Sequence, residues 1–489
     1  MNKSPQPAIT IRTGQETART GEEATRHGGH RSRFGAGSPR AVLVVMCVGY
    51  FLVLLDVTIV NVALPRIGVG LRTDVSGLQW VVDGYALALA SLMLIGGTAG
   101  DVRGHKRVVL AGLAVFGAGS LACALAPVAS VLVAARAIQG VGAAMLLPGT
   151  LAIISHAYPD GQGQARAIGI WAGIGSLALP AGPLLGGALI TGFGWRAIFM
   201  VNVPIVIVSF VAALAIVRES SEPQGKQMDM RGAVLGALFL LAVTFTVIQG
   251  GRQGAVTPVV VAAACAALVL AGGFVLAEWR RGDDAMLPLS LFRRPVFSVA
   301  NGAAGVMNLG TLGMLFVMTL FLQSVQHRSP LAVGAEMIPL FTPLAVIAPL
   351  AGRITSRIGP RLPVACGFVI SAGGLVVLLA VGANSGYLVL LLAFLLWGIG
   401  LGVLTPAVVA VSIAAVPGQR AGLGSAVNNT ARQVGGAMGV AVAGAIAGEP
   451  GNSGFLDGFH ALAVGAACLY LLSAIVAVVV IPGALRRRA

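Results

Sequence analysis

The stretch Ala41-Val-Leu-Val-Val-Met-Cys-Val-Gly-Tyr50-Phe-Leu-Val-Leu-Leu-Asp56-Val-Thr-Ile-Val-Asn61-Val-Ala-Leu64 decides how the rest of the chain is read. A helix needs ~20 apolar residues to cross ~30 Å of hydrocarbon. This run has 24 residues and one charge, Asp56, so it predicts a transmembrane helix. It is too long for a signal-peptide core, and no small-residue cleavage site follows it, so a retained span is expected. Working outward, thirteen more such runs follow, at about 78–98, 107–126, 131–154, 164–190, 195–217, 231–249, 258–278, 296–323, 333–351, 362–381, 386–414, 421–447 and 458–481. The whole chain of 489 residues is 57% hydrophobic and 10% charged. A soluble domain keeps about 25% charged residues to cover its surface. The composition therefore excludes a water-soluble enzyme and indicates an all-α polytopic membrane protein.

A net charge of +15 would suggest nucleic acid if it lay on one soluble face, but here the basic residues are scattered between apolar runs. They read as topology signals, and no nucleic-acid partner is expected. With the N-terminus cytoplasmic, 25 of the 32 Lys and Arg fall on inner segments and five (Arg66, Arg72, Arg196, Arg252 and Arg328) on outer ones. The remaining two, Arg136 and Arg432, lie inside spans. The expected protein is therefore multi-pass in the cytoplasmic membrane, surrounded by lipid, with both termini inside. Five cysteines, all within apolar runs and without short paired spacing, exclude a disulfide framework. No HExxH and no GxxxxGK[ST] occurs. Neither metal nor cofactor is expected, and the chain is not expected to be an enzyme.

The chain also repeats itself. Gly97-Thr-Ala-Gly-Asp101-Val-Arg-Gly104-His-Lys106 is echoed 255 residues later by Gly352-Arg-Ile-Thr-Ser-Arg-Ile-Gly-Pro-Arg361. The expected organisation is a basic disordered tail (1–40), a six-helix bundle (41–217), an inserted linker with spans 7 and 8 (218–295), a second six-helix bundle (296–481) and a basic tail (482–489). Parallel six-helix repeats place a substrate site near the bilayer midplane, between the halves.

A charge inside the bilayer costs several kcal/mol, so the few present carry a functional hypothesis by default. At 1.5 Å per residue, Asp56 lies ~8 Å from the outer face of a ~30 Å core. Asp83 and Arg136 each lie five residues into spans running inward, again ~8 Å deep. Two acids and an arginine in one layer make a proton site whose affinity depends on where the cation sits. The same three residues would also serve as a permanently ionised tie between spans 1, 2 and 4. Asp74 and Glu336 read as solvated. In span 4, Gln139 and Gly140 follow Arg136 on one face, and in span 5 Ala178, Gly182 and Gly186 form a ridge of small residues beside Pro183. That ridge reads as a hinge-like contact or as plain helix packing.

Together these residues resemble a known family. Leu55-Asp56-Val-Thr-Ile-Val-Asn61-Val-Ala-Leu-Pro65 resembles the first-helix signature of the fourteen-helix drug:proton antiporters of the major facilitator superfamily, and Gln79-Trp-Val-Val-Asp83-Gly-Tyr85 their second-helix pattern. Gly97…Asp101…Gly104…Lys106-Arg107 is similar to the superfamily loop motif, Arg136-Ala-Ile-Gln139-Gly140 to the helix 4 motif, and Gly182-Pro183-Leu-Leu-Gly186-Gly187 to the helix 5 antiporter motif. Gly194-Trp195-Arg196 through Asn202-Val-Pro204 is similar to the start of its sixth helix. The resemblance implies the major facilitator fold with two extra helices between its bundles. It implies proton coupling through Asp56 and Arg136, export favoured by the Gly-Pro element, and a gating role for Asp101 against the neighbouring half. The loop motif departs from the family at Ala99, Val102 and His105, and Ser356 replaces the acid in its second copy.

The reading that follows is a proton-coupled exporter of hydrophobic or amphipathic, often cationic, drugs or antibiotics. It is expected to work as a monomer, with protons as the coupling ion. Asn61, Tyr85, Gln139, Trp171, Trp397 and Arg432 are candidates for its substrate cavity. Arg432 lies ~16 Å deep, too far for easy snorkelling, and would serve either a substrate or a structural hydrogen bond. The rivals are an uptake symporter, which would want more polar groups at midspan, and an ion-translocating subunit of a larger complex, which would want polar relays across successive helices.

Overall fold

A computed structural model describes residues 38–483 except 160, 221–228, 254–256, 283–284, 286 and 417–420. Among the described residues there is no strand. The first half comprises α1 (Pro39–Leu71), α2 (Val75–Arg103), α3 (His105–Leu125), α4 (Ala129–Ala157) and α5 (Gly161–Phe193). It closes with α6 (Ala197–Met200) and α7 (Asn202–Ile216), which together make one membrane-length rod. Then come α8 (Met230–Gln253) and α9 (Pro258–Arg281). The second half comprises α10 (Pro295–Leu320), α11 (Pro330–Glu336) with α12 (Ile338–Ile358), α13 (Arg361–Val377), α14 (Tyr387–Ala414), α15 (Ala421–Ala447) and α16 (Phe455–Val480). Thirteen of these rods are long and apolar enough to cross a membrane. The fourteenth, α15, has 27 residues, and Asn428, Asn429, Arg432 and Gln433 make its first half polar. The basic tails expected at 1–40 and 482–489 lie almost wholly outside the described residues.

The helices start where side chains can take up their free N–H groups. Ser38 accepts from Ala41 N at 3.3 Å, with proline at the first helical position of α1. Ser329 and Thr257 do the same ahead of Pro330 and Pro258. Asp74 is not the solvated loop residue expected from sequence: its carboxylate caps α2, accepting from Gly77 N at 3.0 Å. Glu336 likewise is not free in solvent. It pairs with Arg328 at 3.4 Å, its side chain 14% exposed.

The repeat is visible in the backbone. Gly104 and Gly359 are 255 positions apart, and both take positive φ (+101° and +84°) between consecutive helices, a conformation glycine adopts without a Cβ penalty. Each is followed by a basic residue tied to the last helix of its own half. Lys106 Nζ donates to Leu214 O at 2.8 Å, and Arg361 Nε donates to Ile481 O at 3.0 Å, just past the end of α16.

Both halves are held by close helix approach at small residues. A Cβ on Gly119 would lie 2.7 Å from Gln139 N, and one on Gly374 would lie 2.6 Å from Trp397 N, so α3–α4 and α13–α14 depend on glycine at those points. The inserted pair α8 and α9 pack on each other, and α8 lies along both α2 and α15. Among the described residues, the hydrogen bonds that join the halves cluster at one end of the molecule. Gln323 donates to Val62 O at 2.7 Å, Val75 N to Glu449 Oε1 at 2.9 Å, and Gln79 to Val440 O and Ala441 O at 3.1 and 2.7 Å.

Candidate proton-coupling and substrate site

Asp56 and Arg136 meet. Both are buried, and the guanidinium Nη1 is ion-paired with Asp56 Oδ2. A guanidinium has five N–H groups to satisfy. Here Nη1 also donates to Gln139 Oε1 at 2.7 Å, and Nε donates to Val81 O at 3.1 Å. Gln139 returns the bond, its Nε2 donating to Asp56 Oδ1 at 2.8 Å and to Ser120 Oγ at 2.9 Å. Asn202 adds a long contact to the same carboxylate, at 3.5 Å. Tyr85 lies under the guanidinium, its ring centroid 4.3 Å from Cζ, while its own hydroxyl donates to Val53 O at 3.2 Å. Gln139 and Tyr85, expected in the substrate cavity, thus belong mainly to this ion-pair network.

Asp83 does not join it. Both carboxylate oxygens are buried and have no hydrogen-bond partner. The reason is rotation about the helix axis. At 100° per residue, positions 81, 84 and 85 of α2 face α4, where Val81 O and Tyr85 meet Arg136 and Gly84 faces Val133 O. Position 83 points the other way, with 79, 86 and 87. Gln79 is bonded to α15, and Ala86 and Leu87 pack with Ala437 of α15 and Leu240 of α8. The single layer of three charges expected from depth is therefore split: a committed pair inside the first half, and an uncommitted acid on the face of α2 that meets α15 and α8.

Between the halves, beside the pair, lies a small cavity of ≈ 20 Å³, room for about one water molecule. Asn61 and Tyr85 from the first half and Gln433 from the second line it. Asn61 donates to Val57 O at 2.9 Å and leaves its own carbonyl oxygen unpartnered. Trp171 of α5 stacks on Tyr50 of α1 with ring centroids 3.8 Å apart, and Arg432 of α15 leaves its buried Nε without a hydrogen-bond partner among the described residues. Trp397 is elsewhere. It is fully buried in the apolar core of the second half, against Gly374, and lines no space between the halves.

The loop residues Gly97, Asp101, Gly104, Lys106 and Arg107 close the α2–α3 turn. Asp101 pairs with His105 at 3.4 Å, and Gly97 lies on Pro148 of α4. Glu219, which the sequence reading missed, anchors the motif: it accepts from Lys106 N at 3.0 Å and faces Arg107 Nε at 3.6 Å. It sits 113 residues from Lys106, and no local pattern marks it. Tyr50 and Ser120 were missed for the same reason, whereas Asn202 stood in the sixth-helix motif without being assigned to the site. The α5 motif has two faces. Gly182 and Gly186 let α1 approach at Thr58 and Ile59, whereas Gly187 faces the backbone of Pro330 and Leu331, and Pro183 O faces Gly334. Its second face therefore helps seal the halves at the end where the cross-half hydrogen bonds lie.

The chain matches the family model of the Major Facilitator Superfamily over residues 46–440 and again over 302–488. It is 35% identical to the multidrug resistance protein Stp of Mycobacterium tuberculosis over 83% of this chain and 75% of that one. It is 33% identical to the tetracenomycin C resistance and export protein of Streptomyces glaucescens over 84% of this chain and 76% of that one. Among solved structures it superposes on the nucleoside transporter NupG with a TM-score of 0.63 and 11% identity, covering 90% of this chain and 99% of that one.

Proposed function

The chain belongs to the Major Facilitator Superfamily, and from that premise we propose that it is a proton-coupled antiporter that exports drugs or antibiotics. It is a membrane transporter and not an enzyme. Export is supported by relatives at 35% and 33% identity that carry drug-resistance and export names. The proposed substrates are hydrophobic or amphipathic small molecules, taken up between the halves. The proposed placement is the cytoplasmic membrane, termini inside, with the chain acting as a monomer.

The observation that carries the coupling is the contrast between the two acids. Removing the charge of Asp56 would break its pair with Arg136 and leave a buried guanidinium uncompensated, which costs roughly 3–5 kcal/mol. Loading or unloading Asp83 breaks no bond already made. Asp83 also sits on the α2–α15 seam, which alternating access must open. In this reading the outward state takes a proton on Asp83, and the inward state releases it as substrate binds. The Asp56–Arg136–Gln139 network keeps α1, α3 and α4 moving as one body and senses the substrate through Asn61 and Tyr85.

The test is efflux of a panel of dyes and antibiotics from proteoliposomes under an imposed pH gradient. Gradient-driven efflux that a protonophore collapses is the expected result. Asp83→Asn should retain downhill exchange and lose its dependence on the gradient. Undiminished coupling in Asp83→Asn removes that residue as the carrier, and efflux indifferent to the gradient in the unaltered protein removes proton coupling altogether.

A further inference from the structure

Outward of Asp83 the chain opens into a cleft. Ser76, Trp80, Asp83 and Leu87 recur at intervals of three and four, so they share one stripe of α2. At the outer end of the stripe, in the proposed orientation, Ser76 and Trp80 line an open cleft of ≈ 570 Å³ together with Arg72, Gly77 and Gln249. Gln249 belongs to α8, so the inserted pair supplies one wall. Its Oε1 is buried there without a hydrogen-bond partner, an acceptor for water that enters the cleft. Trp80 is the innermost α2 residue of the lining, and Asp83 follows it on the stripe ~4.5 Å further along the helix axis.

Contacts on either side fix what covers Asp83. On α8, Phe245 meets Trp80 with ring centroids 6.3 Å apart, and Leu240 packs against the cluster of Ala86, Leu87 and Ala437. On α15, Val440 O and Ala441 O accept from Gln79, and Ala437 belongs to that same cluster. Asp83 falls between these contacts on both neighbours, its carboxylate buried and unpartnered. The Trp80–Phe245 pair therefore stands between the cleft and the acid. No other ionisable side chain shares the stretch: α2 has none at 75–82, α8 none at 240–251 and α15 none at 433–447. At the mouth, among the described residues, Arg72 and Asp74 line the cleft and Glu449 accepts from Val75 N at 2.9 Å.

We propose that this cleft is the outer port for the coupling proton and that Trp80 and Phe245 are its gate. When Phe245 moves off Trp80, water reaches Asp83, a hydronium ion gives its proton to the carboxylate, and the water molecule left behind returns to the cleft. With the rings together the loaded acid is cut off from the outside, which a carrier needs before it opens inward. The inference rests on the antiporter reading and gives the inserted pair a part in it, because α8 supplies Phe245, Gln249 and the cover over Asp83. Trp80 and Phe245 are positioning residues, since neither takes the proton.

The test measures water access apart from transport. Right-side-out vesicles carrying the full-length chain are treated from outside with an impermeant quaternary-ammonium carbodiimide and an amine, and labelling of Asp83 is followed by peptide mass spectrometry. Loss of the aromatic pair in Phe245→Ala should raise the labelling rate roughly two- to tenfold. The same variant should leak protons down an imposed gradient without substrate, Asp83→Asn added to it should abolish the leak, and Phe245→Tyr should keep labelling slow. In Gln249→Cys, an impermeant thiol reagent attached from outside should slow Asp83 labelling relative to the same variant untreated, with the treated unaltered chain as control. Unchanged labelling in Phe245→Ala, or labelling indifferent to the block at position 249, overturns the port. Gradient-driven efflux alongside such a result leaves the antiporter reading standing. Labelling that responds as expected in a chain whose efflux ignores the gradient overturns that reading and keeps the water path to Asp83.

Discussion

Asp56 and Asp83 lie at the same depth in neighbouring helices and do opposite things. Asp56 accepts from a guanidinium and an amide, and Asp83 accepts from nothing. Their responses to substitution should differ accordingly. Arg136→Ala strands a buried carboxylate and should cost roughly 3–5 kcal/mol. Asp83→Asn removes no partner and should change stability by about 1 kcal/mol or less. Thermal melting of the two variants in detergent checks this, and equal losses would contradict the partition. Residue identity in both cases was readable from the one-dimensional chain. Partnership was not, because depth arithmetic gives a position along the helix axis and says nothing of the angle around it.

At the scale of elements, α5 touches both halves and α8 covers their seam. Glycines 182 and 186 admit α1 on one side of α5, while Gly187 admits α11 on another, so a single run of small residues serves both an internal contact and the seal between halves. A Cβ at Gly187 would lie 2.6 Å from Pro330 O and 2.7 Å from Leu331 Cα, both backbone atoms with no freedom to give way. Gly187→Val should therefore destabilise the closed arrangement at this end. Spin labels at Phe193 and Leu331, both exposed, should report a longer distance distribution in the variant than in the unaltered chain. An unchanged distribution would mean that the seal does not depend on this contact. The inserted pair gained a place that sequence alone could not assign: α8 covers the seam where Asp83 sits, with Phe245 beside Trp80 at 6.3 Å.

At the scale of the whole molecule, two halves repeat one plan, each with a glycine of positive φ and a basic residue tying the loop back to its last helix. The charge distribution makes a topological prediction. In intact cells, a cysteine replacing Arg328 should react with an impermeant thiol reagent added outside, and one replacing Ser356 should react only after permeabilisation. The reverse pattern would invert the molecule and place the sealed end of the structure toward the cytoplasm.

The apolar runs, their order along the chain and the charged residues that fall inside them were all legible in the sequence. Hydropathy is local, each run of ~20 residues needs only its own composition to favour the bilayer, and the repeated loop is legible as a string. Tertiary structure alone decided which of these residues act together. It assigned Asp83 to the seam with α15, Trp397 to a sealed core and Glu219 to the loop motif, and it stacked Trp171 of α5 on Tyr50 of α1. Those pairings depend on how each helix is rotated about its axis and which neighbour it meets. Rotation and neighbour are set by small residues such as Gly119, Gly175 and Gly374, which let particular helices approach closely.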